Sequence, residues 1–244
     1  MPARPRSPHV ALLLCSAAVT AAGCDNAPSS DYPTSETGIF VDVEVDAAGR
    51  ADATVALTAD NPALLEVTYL RLEGGDQLGM TIGATRVPLV EDNLLGAYRY
   101  LGQASGIAGG ERVGVTYDRA EGEDALATRG TVPAPFELGA TATRFSRADG
   151  LNLVLSGLAG ATQLAVSVSS AEGCFDAFTV TGPADVTGVA IPPSRFVLTP
   201  GGPATCNVTV SASASASGTP DPAFGRGGVV RVSQVRTLAL TFDR

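Results

Sequence analysis

The amino-acid sequence predicts an all-β protein, and two observations support that fold class. Short segments of alternating apolar and polar residues recur along the chain, with turn residues at intervals of about 8–12 positions. Beyond residue 38, no stretch of about 11–18 residues keeps the i, i+3, i+4, i+7 apolar spacing of an amphipathic helix. This pattern is typical of antiparallel β-sandwiches, and the chain is long enough for two Ig-like sandwich domains in tandem.

The first domain is predicted over residues 39–134, and its opening strand shows the alternation most clearly. In IFVDVEVD (39–46), one face of the strand carries Ile39, Val41, Val43 and Val45. The opposite face carries Asp42, Glu44 and Asp46. Further strands are predicted in ADATVALT, LLEVTYLRL, QLGMTI, RVPLVED, NLLGAYRYLG and ERVGVTYDR. Seven or eight short strands of this kind suffice for one sandwich.

The second domain is predicted over residues 135–244, because two closely spaced prolines in TVPAPFELGA (131–140) indicate a boundary. Alternation resumes after it in segments such as LNLVLSG and QLAVSVSS. The run SASASAS (211–217) continues the alternation before it, which favours an edge strand over a flexible loop. In the last segment, VVRVSQVRTLALTFDR, the apolar pattern changes phase between Val232 and Val235, which predicts a bulge or bend.

The first 38 residues have a different composition. Residues 1–23 combine two arginines with the apolar run VALLLCSAAVTA, which is typical of a secretory signal peptide. That run is shorter than the roughly 20 residues that a membrane-spanning helix needs. Residues 24–38 contain mainly Pro, Ser, Thr, Asp and Gly, and Tyr32 is their only large apolar side chain. This composition predicts a flexible tether.

The end of the predicted signal, Ala21-Ala22-Gly23-Cys24, resembles the lipobox of bacterial lipoproteins. In that family the cysteine thiol receives a diacylglyceryl group, and a peptidase then cuts the chain before the cysteine. The resemblance implies that Cys24 carries the lipid and attaches the protein to a membrane of the cell envelope, with the outer membrane favoured. Ala21 departs from the family, which prefers leucine there. The alternative is an ordinary signal in which Cys24 is incidental.

The other cysteines agree with export. Cys15 lies inside the predicted signal, which leaves Cys174 and Cys206 as a pair. An even number of cysteines in an exported protein favours a disulfide, and closing a loop of this length contributes about 3–4 kcal/mol. Two free thiols or a metal-binding pair are the alternatives.

Several motifs along the chain resemble those of uncharacterised exported lipoproteins of GC-rich Gram-negative bacteria. They are the lipobox, VPAPFEL at the domain boundary, FSR at the start of the second domain, and the Cys206 segment followed by DPAFGRGG and QVRT. The resemblance covers most of the chain and implies a two-domain β-rich layout. It implies no particular activity.

The composition excludes many functions. All 16 basic residues are arginine, and His9, within the predicted signal, is the only histidine. Catalysis by Ser-His-Asp, Cys-His or Ser-Lys groups is therefore excluded, as are Schiff bases and histidine-ligated zinc. The chain has a net charge of −9 and no basic stripe, so we expect no binding to nucleic acid. No catalytic residue, metal site or cofactor is predicted.

Clustered carboxylates are the remaining candidates for chemistry. Glu121, Glu123 and Asp124 lie in the loop RAEGEDA, and Glu91 precedes Asp92. Carboxylate pairs act as general acid and base in glycosidases, or bind calcium through oxygen. Neither group matches the D-x-[DN]-x-[DN]-G calcium loop, so solvated acidic loops are the favoured interpretation.

Two further groups remain open. Asp42, Glu44 and Asp46 recur about 7 Å apart along one strand face, either as an acidic stripe for a cationic partner or calcium, or as the wet face of a half-buried strand. Tyr98 and Tyr100 are predicted to share a face, either as core residues with a tyrosine-corner role or as a platform for a ligand.

The sequence thus favours a membrane-anchored, non-catalytic envelope lipoprotein with a structural or protein-recognition role. Its expected partners are the membrane, through lipid on Cys24, and an unidentified envelope protein or surface ligand. The alternative is an adhesion-type module that binds calcium or carbohydrate.

Overall fold

A computed structural model describes residues 26–60, 67–94 and 96–244, and these residues form strands, turns and three short 3₁₀ helices, without an α-helix. The predicted all-β class is confirmed. The strands are β1 (Asn26–Pro28), β2 (Gly38–Val45), β3 (Arg50–Thr58), β4 (Tyr69–Arg71), β5 (Gln77–Ile82), β6 (Thr85–Arg86), β7 (Leu89–Leu94), β8 (Ala97–Ser105), β9 (Arg112–Asp118), β10 (Ala125–Thr131), β11 (Glu137–Ala140), β12 (Arg144–Ser146), β13 (Leu151–Ser156), β14 (Gln163–Ser170), β15 (Phe178–Pro183), β16 (Gly188–Ile191), β17 (Thr205–Ser217) and β18 (Gly228–Asp243). The 3₁₀ helices are Ser29–Asp31, Thr34–Glu36 and Pro193–Arg195.

The described strands form three sheets. Sheet A has eleven strands in the main order β1-β4-β3-β2-β18-β17-β14-β15, with β8 and β7 joined at β3 and β12 joined at β18. Sheet B has the order β10-β9-β5-β6, and sheet C has the order β11-β13-β16. Most neighbours are antiparallel, as predicted, but the pairs β1–β4, β2–β18 and β12–β18 are parallel.

The first sandwich packs one half of sheet A against sheet B. The predicted alternation of β2 is confirmed, because its inward side chains are fully buried while their neighbours form the outer face. Sheet B contributes alternate residues of β5 and β9 to the same core. The core of this sandwich includes Ile39, Val41, Val43, Val45, Met80, Ile82, Val113, Val115 and Tyr117.

The second sandwich packs the other half of sheet A against sheet C. Alternate residues of β13, β14 and β17 face inward and are buried. SASASAS belongs to β17, which confirms a strand at this position. The predicted edge location is wrong, because β17 pairs with β14 on one side and with β18 on the other. At one end of the core, aromatic rings pack in mostly tilted or edge-on contacts with centroids 5.1–6.3 Å apart. These rings are Phe145, Phe175, Phe178, Phe196 and Phe242.

The last strand belongs to both sandwiches. The first half of β18 pairs with β2, and Val230 and Val232 lie in the first core. Further along the same strand, Leu240 and Phe242 lie in the second core, and β18 pairs with β17 throughout the length of β17. The sequence places the domain boundary between residues 134 and 135; the structure adds a continuous sheet that joins the two sandwiches across that boundary.

The bulge or bend predicted between Val232 and Val235 is wrong. The pairing of β18 with β17 runs from Arg231 to Asp243 without a shift of register. The apolar pattern changes phase because Gln234, an inward position, is polar. Its amide is buried and hydrogen-bonds to backbone carbonyls instead of packing against apolar side chains.

The flexible tether predicted for residues 24–38 also needs correction over its described part, residues 26–38. This segment contains β1 and two 3₁₀ helices, and Ser29, Thr34 and Thr37 are buried. Polar side chains hold the segment against the first sandwich, and Ala27 and Tyr32 pack against its core. A segment with few apolar residues is therefore still fixed to the folded body. The predicted signal peptide and Cys24 lie outside the described residues.

Candidate functional site

The N-terminal segment is held by a buried carboxylate. Asp76, between β4 and β5, accepts hydrogen bonds from the Ser29 hydroxyl at 2.8 Å, the Tyr117 hydroxyl at 2.7 Å and the Ala120 amide at 3.1 Å. Arg119 lies 3.7 Å from the same carboxylate, and both side chains are almost fully buried. The cluster therefore joins the N-terminal segment to the ends of β5 and β9.

Four further hydrogen bonds strengthen this attachment. The Arg119 guanidinium donates to the backbone carbonyls of Tyr32 and Ser29, and the Thr34 hydroxyl donates to the carbonyl of Glu123. The Ser29 hydroxyl also accepts a hydrogen bond from the Glu73 amide at 3.1 Å. The segment is thus bound by side-chain and backbone groups that are distant in sequence.

The electrostatics of the cluster suit a structural role. Burial raises the pKa of Tyr117, and its hydrogen bond to Asp76 and the charge of Asp76 raise the pKa further. The phenol therefore stays protonated and donates to the carboxylate. The Asp76 charge is balanced by Arg119, and its two oxygens are occupied by donors within the protein.

The acidic loop predicted as a calcium or catalytic candidate does not converge on one point. Asp124 accepts a hydrogen bond from the Arg119 amide at 2.8 Å, while Glu121 and Glu123 are exposed. In the described part of the chain, no three acidic or sulfur-bearing side chains are grouped as metal ligands would be. The structure therefore offers no observation in favour of calcium at this loop.

Glu91 and Asp92 are each engaged by an arginine. Asp92 lies 2.5 Å from Arg99, whose side chain is largely buried, and Glu91 lies 3.6 Å from the exposed Arg71. The two acids point to different partners, as expected for consecutive residues of a strand. They do not form a carboxylate pair around a shared substrate.

The three acids of the β2 stripe have different environments. Asp42 is buried and forms two hydrogen bonds with Arg231 of β18, at 2.8 and 2.7 Å. Asp46 caps the following turn by accepting two backbone amides. Burial and the charge of Asp42 raise the pKa of Glu44, while Arg231 lowers it in part. The cationic partner of the stripe is Arg231, within the same chain.

Tyr98 and Tyr100 belong to different clusters. Tyr100 lies in the first core, and its hydroxyl accepts a hydrogen bond from the Leu72 amide at 2.7 Å. This is a core position and not a tyrosine corner, because a tyrosine corner binds the backbone only a few residues upstream and Leu72 is 28 residues away. Burial raises its pKa to about 12. Tyr98 is half-buried with Arg71 over its ring, at 5.6 Å from the centroid. The two rings do not form one platform.

The disulfide between Cys174 and Cys206 is present, with the Cα atoms 6.3 Å apart. Cys206 lies in β17, and Cys174 lies in the connection between β14 and β15. Both are buried in the second core, so the bond holds this connection onto sheet A.

Sequence reasoning missed the residues at the junction of the two sandwiches. The Gln234 amide donates to the carbonyls of Ala108 and Pro133, at 2.6 and 3.3 Å. Arg236 donates to the carbonyl of Phe136 at 2.9 Å and lies over that ring. The only sign of this junction in the sequence is Gln234, a polar residue that interrupts the apolar alternation and was interpreted as a bend.

The described residues include no helix with the length and hydrophobicity needed to cross a bilayer. No protein-family model matches the chain, and neither does any curated protein. Among solved structures, the chain is similar to the FN1–FN3 domains of chicken CNTN1, with a TM-score of 0.26 and 11% identity over 84% of this chain and 66% of that one. It is also similar to the adhesin InvE of Yersinia pseudotuberculosis, with a TM-score of 0.24 and 12% identity over 86% of this chain and 60% of that one. The chain thus spans less than two thirds of either structure, and likeness at this level carries no functional argument.

Proposed function

We propose that this protein is a cell-envelope lipoprotein, attached to a membrane by lipid on Cys24, whose folded body is a non-catalytic structural or protein-recognition module. The observation that carries the proposal is the order of the first 38 residues. Arginines, an apolar run and Ala21-Ala22-Gly23-Cys24 are followed directly by a segment that is bound to the body.

The described contacts support a body held close to its anchor. Asn26, the first residue of β1, follows Cys24 by two positions, and two extended residues span at most about 7 Å. The Asp76 cluster then fixes the segment, so little free chain separates the lipid from the sandwich. A connection this short would fix the distance and the orientation of the folded body relative to the membrane, as a structural or recognition module requires.

The acids support a non-catalytic body. Beyond His9 the chain has neither histidine nor lysine, so carboxylates would have to act as general acid and base. Among the described residues, three carboxylates are buried: Asp42 and Asp76 are balanced by Arg231 and Arg119, and Asp221 accepts hydrogen bonds from backbone amides. Carboxylates occupied in this way hold the fold together and are not free to exchange protons with a substrate.

The hairpin of β7 and β8 supports protein recognition. Val90 and Leu101 face each other across the two strands and are 66% and 37% exposed, and Leu94 at the turn is 46% exposed. Large apolar side chains grouped on a surface are a feature of protein contact sites. This hairpin also forms an edge of sheet A.

Substitution of Cys24 tests the anchor. We expect Cys24→Ser to abolish the diacylglyceryl mass on the N-terminal peptide and to move the protein out of the lipidated membrane fraction, as measured by mass spectrometry and cell fractionation. Cys15→Ser is the matched control, because Cys15 lies in the segment expected to be removed, and it should leave both readouts unchanged. A Cys24→Ser protein with an unaltered lipid mass would contradict the proposal.

A further inference from the structure

The outer face of sheet B carries arginines that take part in none of the side-chain contacts described for the first sandwich. The register places Arg86 opposite Thr81, Thr81 opposite Gly114, and Gly114 opposite Arg129. These four residues form one row across the four strands. The row is about 14 Å long, because neighbouring strands lie about 4.8 Å apart.

A third arginine lies beside this row. Arg112 precedes Gly114 by two positions on β9, so both point to the same face. The opposite face of the strand carries Val113 and Val115, which are buried in the first core. Arg86, Arg112 and Arg129 are therefore directed to solvent, and all three are exposed. We refer to these three residues as the arginine face.

The described part of the chain supplies no ion-pair partner for the arginine face. Among the described residues, no carboxylate lies within 4.0 Å of any of the three guanidinium groups, and no side-chain hydrogen bond engages them. By contrast, five other arginines of the described chain form ion pairs, namely Arg71, Arg99, Arg119, Arg144 and Arg231. In a chain with a net charge of −9, three adjacent unpaired cations mark a local surface of opposite sign.

Threonine hydroxyl groups line the surface between the arginines. A Cβ added to Gly79 would lie 2.6 Å from the Thr116 hydroxyl, and one added to Gly114 would lie 3.1 Å from the Thr81 hydroxyl. The threonine side chains thus cover the two glycines and present hydroxyl groups beside the arginines. An open sheet face suits an extended partner better than a small molecule that needs enclosure.

We propose that the arginine face docks on a bilayer that contains anionic phospholipid. Guanidinium groups match phosphate oxygens in geometry, and each arginine near an anionic bilayer raises binding about fivefold. The three arginines span about 14 by 7 Å, well below the roughly 800 Å² per partner of a stable protein complex, which argues against a second copy of the chain as the occupant.

The position of the N-terminal segment agrees with this orientation. Asp76 and Arg119, which hold the segment, lie at the ends of β5 and β9, the two central strands of sheet B. Arg112 begins β9 at its other end, about 20 Å away. A lipid on Cys24 and the arginine face would then hold the sandwich at two points, at the two ends of β9, with the exposed Asp118 of the same strand face at the anchored end. This inference rests on the proposed membrane attachment.

The experiment uses residues 26–244, which contain both cores and every contact described above, and which lack Cys24. Because this protein lacks Cys24, a negative result would count against the arginine face alone. The Cys24→Ser experiment tests the lipid anchor separately. Sedimentation measures binding to vesicles of phosphatidylcholine alone, or with about one third phosphatidylglycerol, at low salt and at about 0.5 M salt. The test variant is Arg86→Gln, Arg112→Gln and Arg129→Gln together. The control is Arg147→Gln, Arg195→Gln and Arg226→Gln, three exposed arginines outside this face with the same change in net charge.

We expect the unmodified protein and the control to bind the anionic vesicles equally at low salt and to release them at high salt. The test variant should bind about a hundredfold less, the product of three fivefold losses. No binding by the unmodified protein, equal losses in the two variants, or equal binding to vesicles of phosphatidylcholine alone would overturn the proposal. Absence of binding by the unmodified protein at low salt overturns the proposal even where a variant fails to fold.

Discussion

Arg236 donates a hydrogen bond of 3.0 Å to the side-chain oxygen of Gln234, two residues earlier on the shared strand β18. Both side chains face inward where the two sandwiches meet. The Gln234 amide donates hydrogen bonds to the carbonyls of Ala108 and Pro133. The Arg236 guanidinium donates one to the carbonyl of Phe136. The connection between the sandwiches is thus bound by side chains of the strand that runs through both.

Gln234→Ala should destabilise the protein. The substitution leaves backbone carbonyls without a donor inside the protein, at a cost of about 1–3 kcal/mol in the free energy of unfolding. Urea unfolding followed by circular dichroism measures this change. Gln103→Ala is the control, because Gln103 donates to Asp52 on the exposed face of the sheet, and it should change stability by less than about 0.5 kcal/mol. Equal effects of the two substitutions would contradict the role of Gln234.

The junction illustrates what the sequence could predict. Apolar alternation identified β2 and the inward face of β18 on either side of Gln234, because burial of apolar side chains follows the two-residue period of a strand. Gln234 broke that period and was interpreted as a bend. Its partners lie about a hundred residues away in sequence, so no local pattern reveals that a polar side chain is buried there.

The prediction for the N-terminal segment was wrong for a related reason. A segment with few apolar residues was predicted to be flexible, yet Ser29 binds Asp76, a single acid that belongs to no sequence motif. The disulfide was predictable, because a predicted signal that contains Cys15 and a predicted lipid on Cys24 leave one pairing of the remaining cysteines. The sequence does not specify the strand order of sheet A. It therefore could not show that the disulfide holds the connection between β14 and β15.

Tyr117→Phe should weaken the Asp76 cluster. The hydroxyl donates to a buried carboxylate, and a hydrogen bond to a charged group contributes about 1.5–3 kcal/mol. We therefore expect a loss of that order in urea unfolding at neutral pH. Tyr98→Phe is the matched control on a half-buried ring and should change stability by less than about 0.5 kcal/mol. A loss of stability in Tyr98→Phe without one in Tyr117→Phe would contradict the role of the Tyr117 hydroxyl.

Ser29→Ala should release the N-terminal segment. The hydroxyl links Asp76 to the Glu73 amide, so its removal leaves both groups with one partner fewer. Limited proteolysis should then cut within residues 26–37 several times faster, while the two sandwiches stay intact. Ser30→Ala, at the exposed neighbouring position, should be cut at the unmodified rate. If both variants resist the protease equally, the hydroxyl does not hold the segment.

Removal of the disulfide should affect both sandwiches. Cys174→Ala with Cys206→Ala should lower the free energy of unfolding by about 3–4 kcal/mol, and the unmodified protein under reducing conditions should match it. Because β18 contributes to both cores, we expect one unfolding transition, shifted as a whole. Hydrogen exchange at Val41 in the first core should accelerate along with exchange at Val208 in the second. Two separate transitions would show that the shared strand does not couple the cores.

Glu44→Gln should remove a pH dependence of stability. Burial, followed by the charge of Asp42, raises the pKa of Glu44 above its ordinary value of 4.5, and Arg231 offsets part of this rise. The folded protein therefore holds this proton more tightly than the unfolded chain does. The contribution of Glu44 to the free energy of unfolding must fall as the pH rises from about 4.5 through the raised pKa.

We accordingly expect Glu44→Gln to match the unmodified protein near pH 4 and to be the more stable of the two at pH 7, in urea unfolding at each pH. The difference between the two proteins isolates Glu44, because all other carboxylates titrate in both. Glu121→Gln, on the exposed acidic loop, should show no such divergence. A stability difference for Glu44→Gln that stays constant from pH 4 to pH 7 would mean that the carboxyl group is not perturbed by its position on β2.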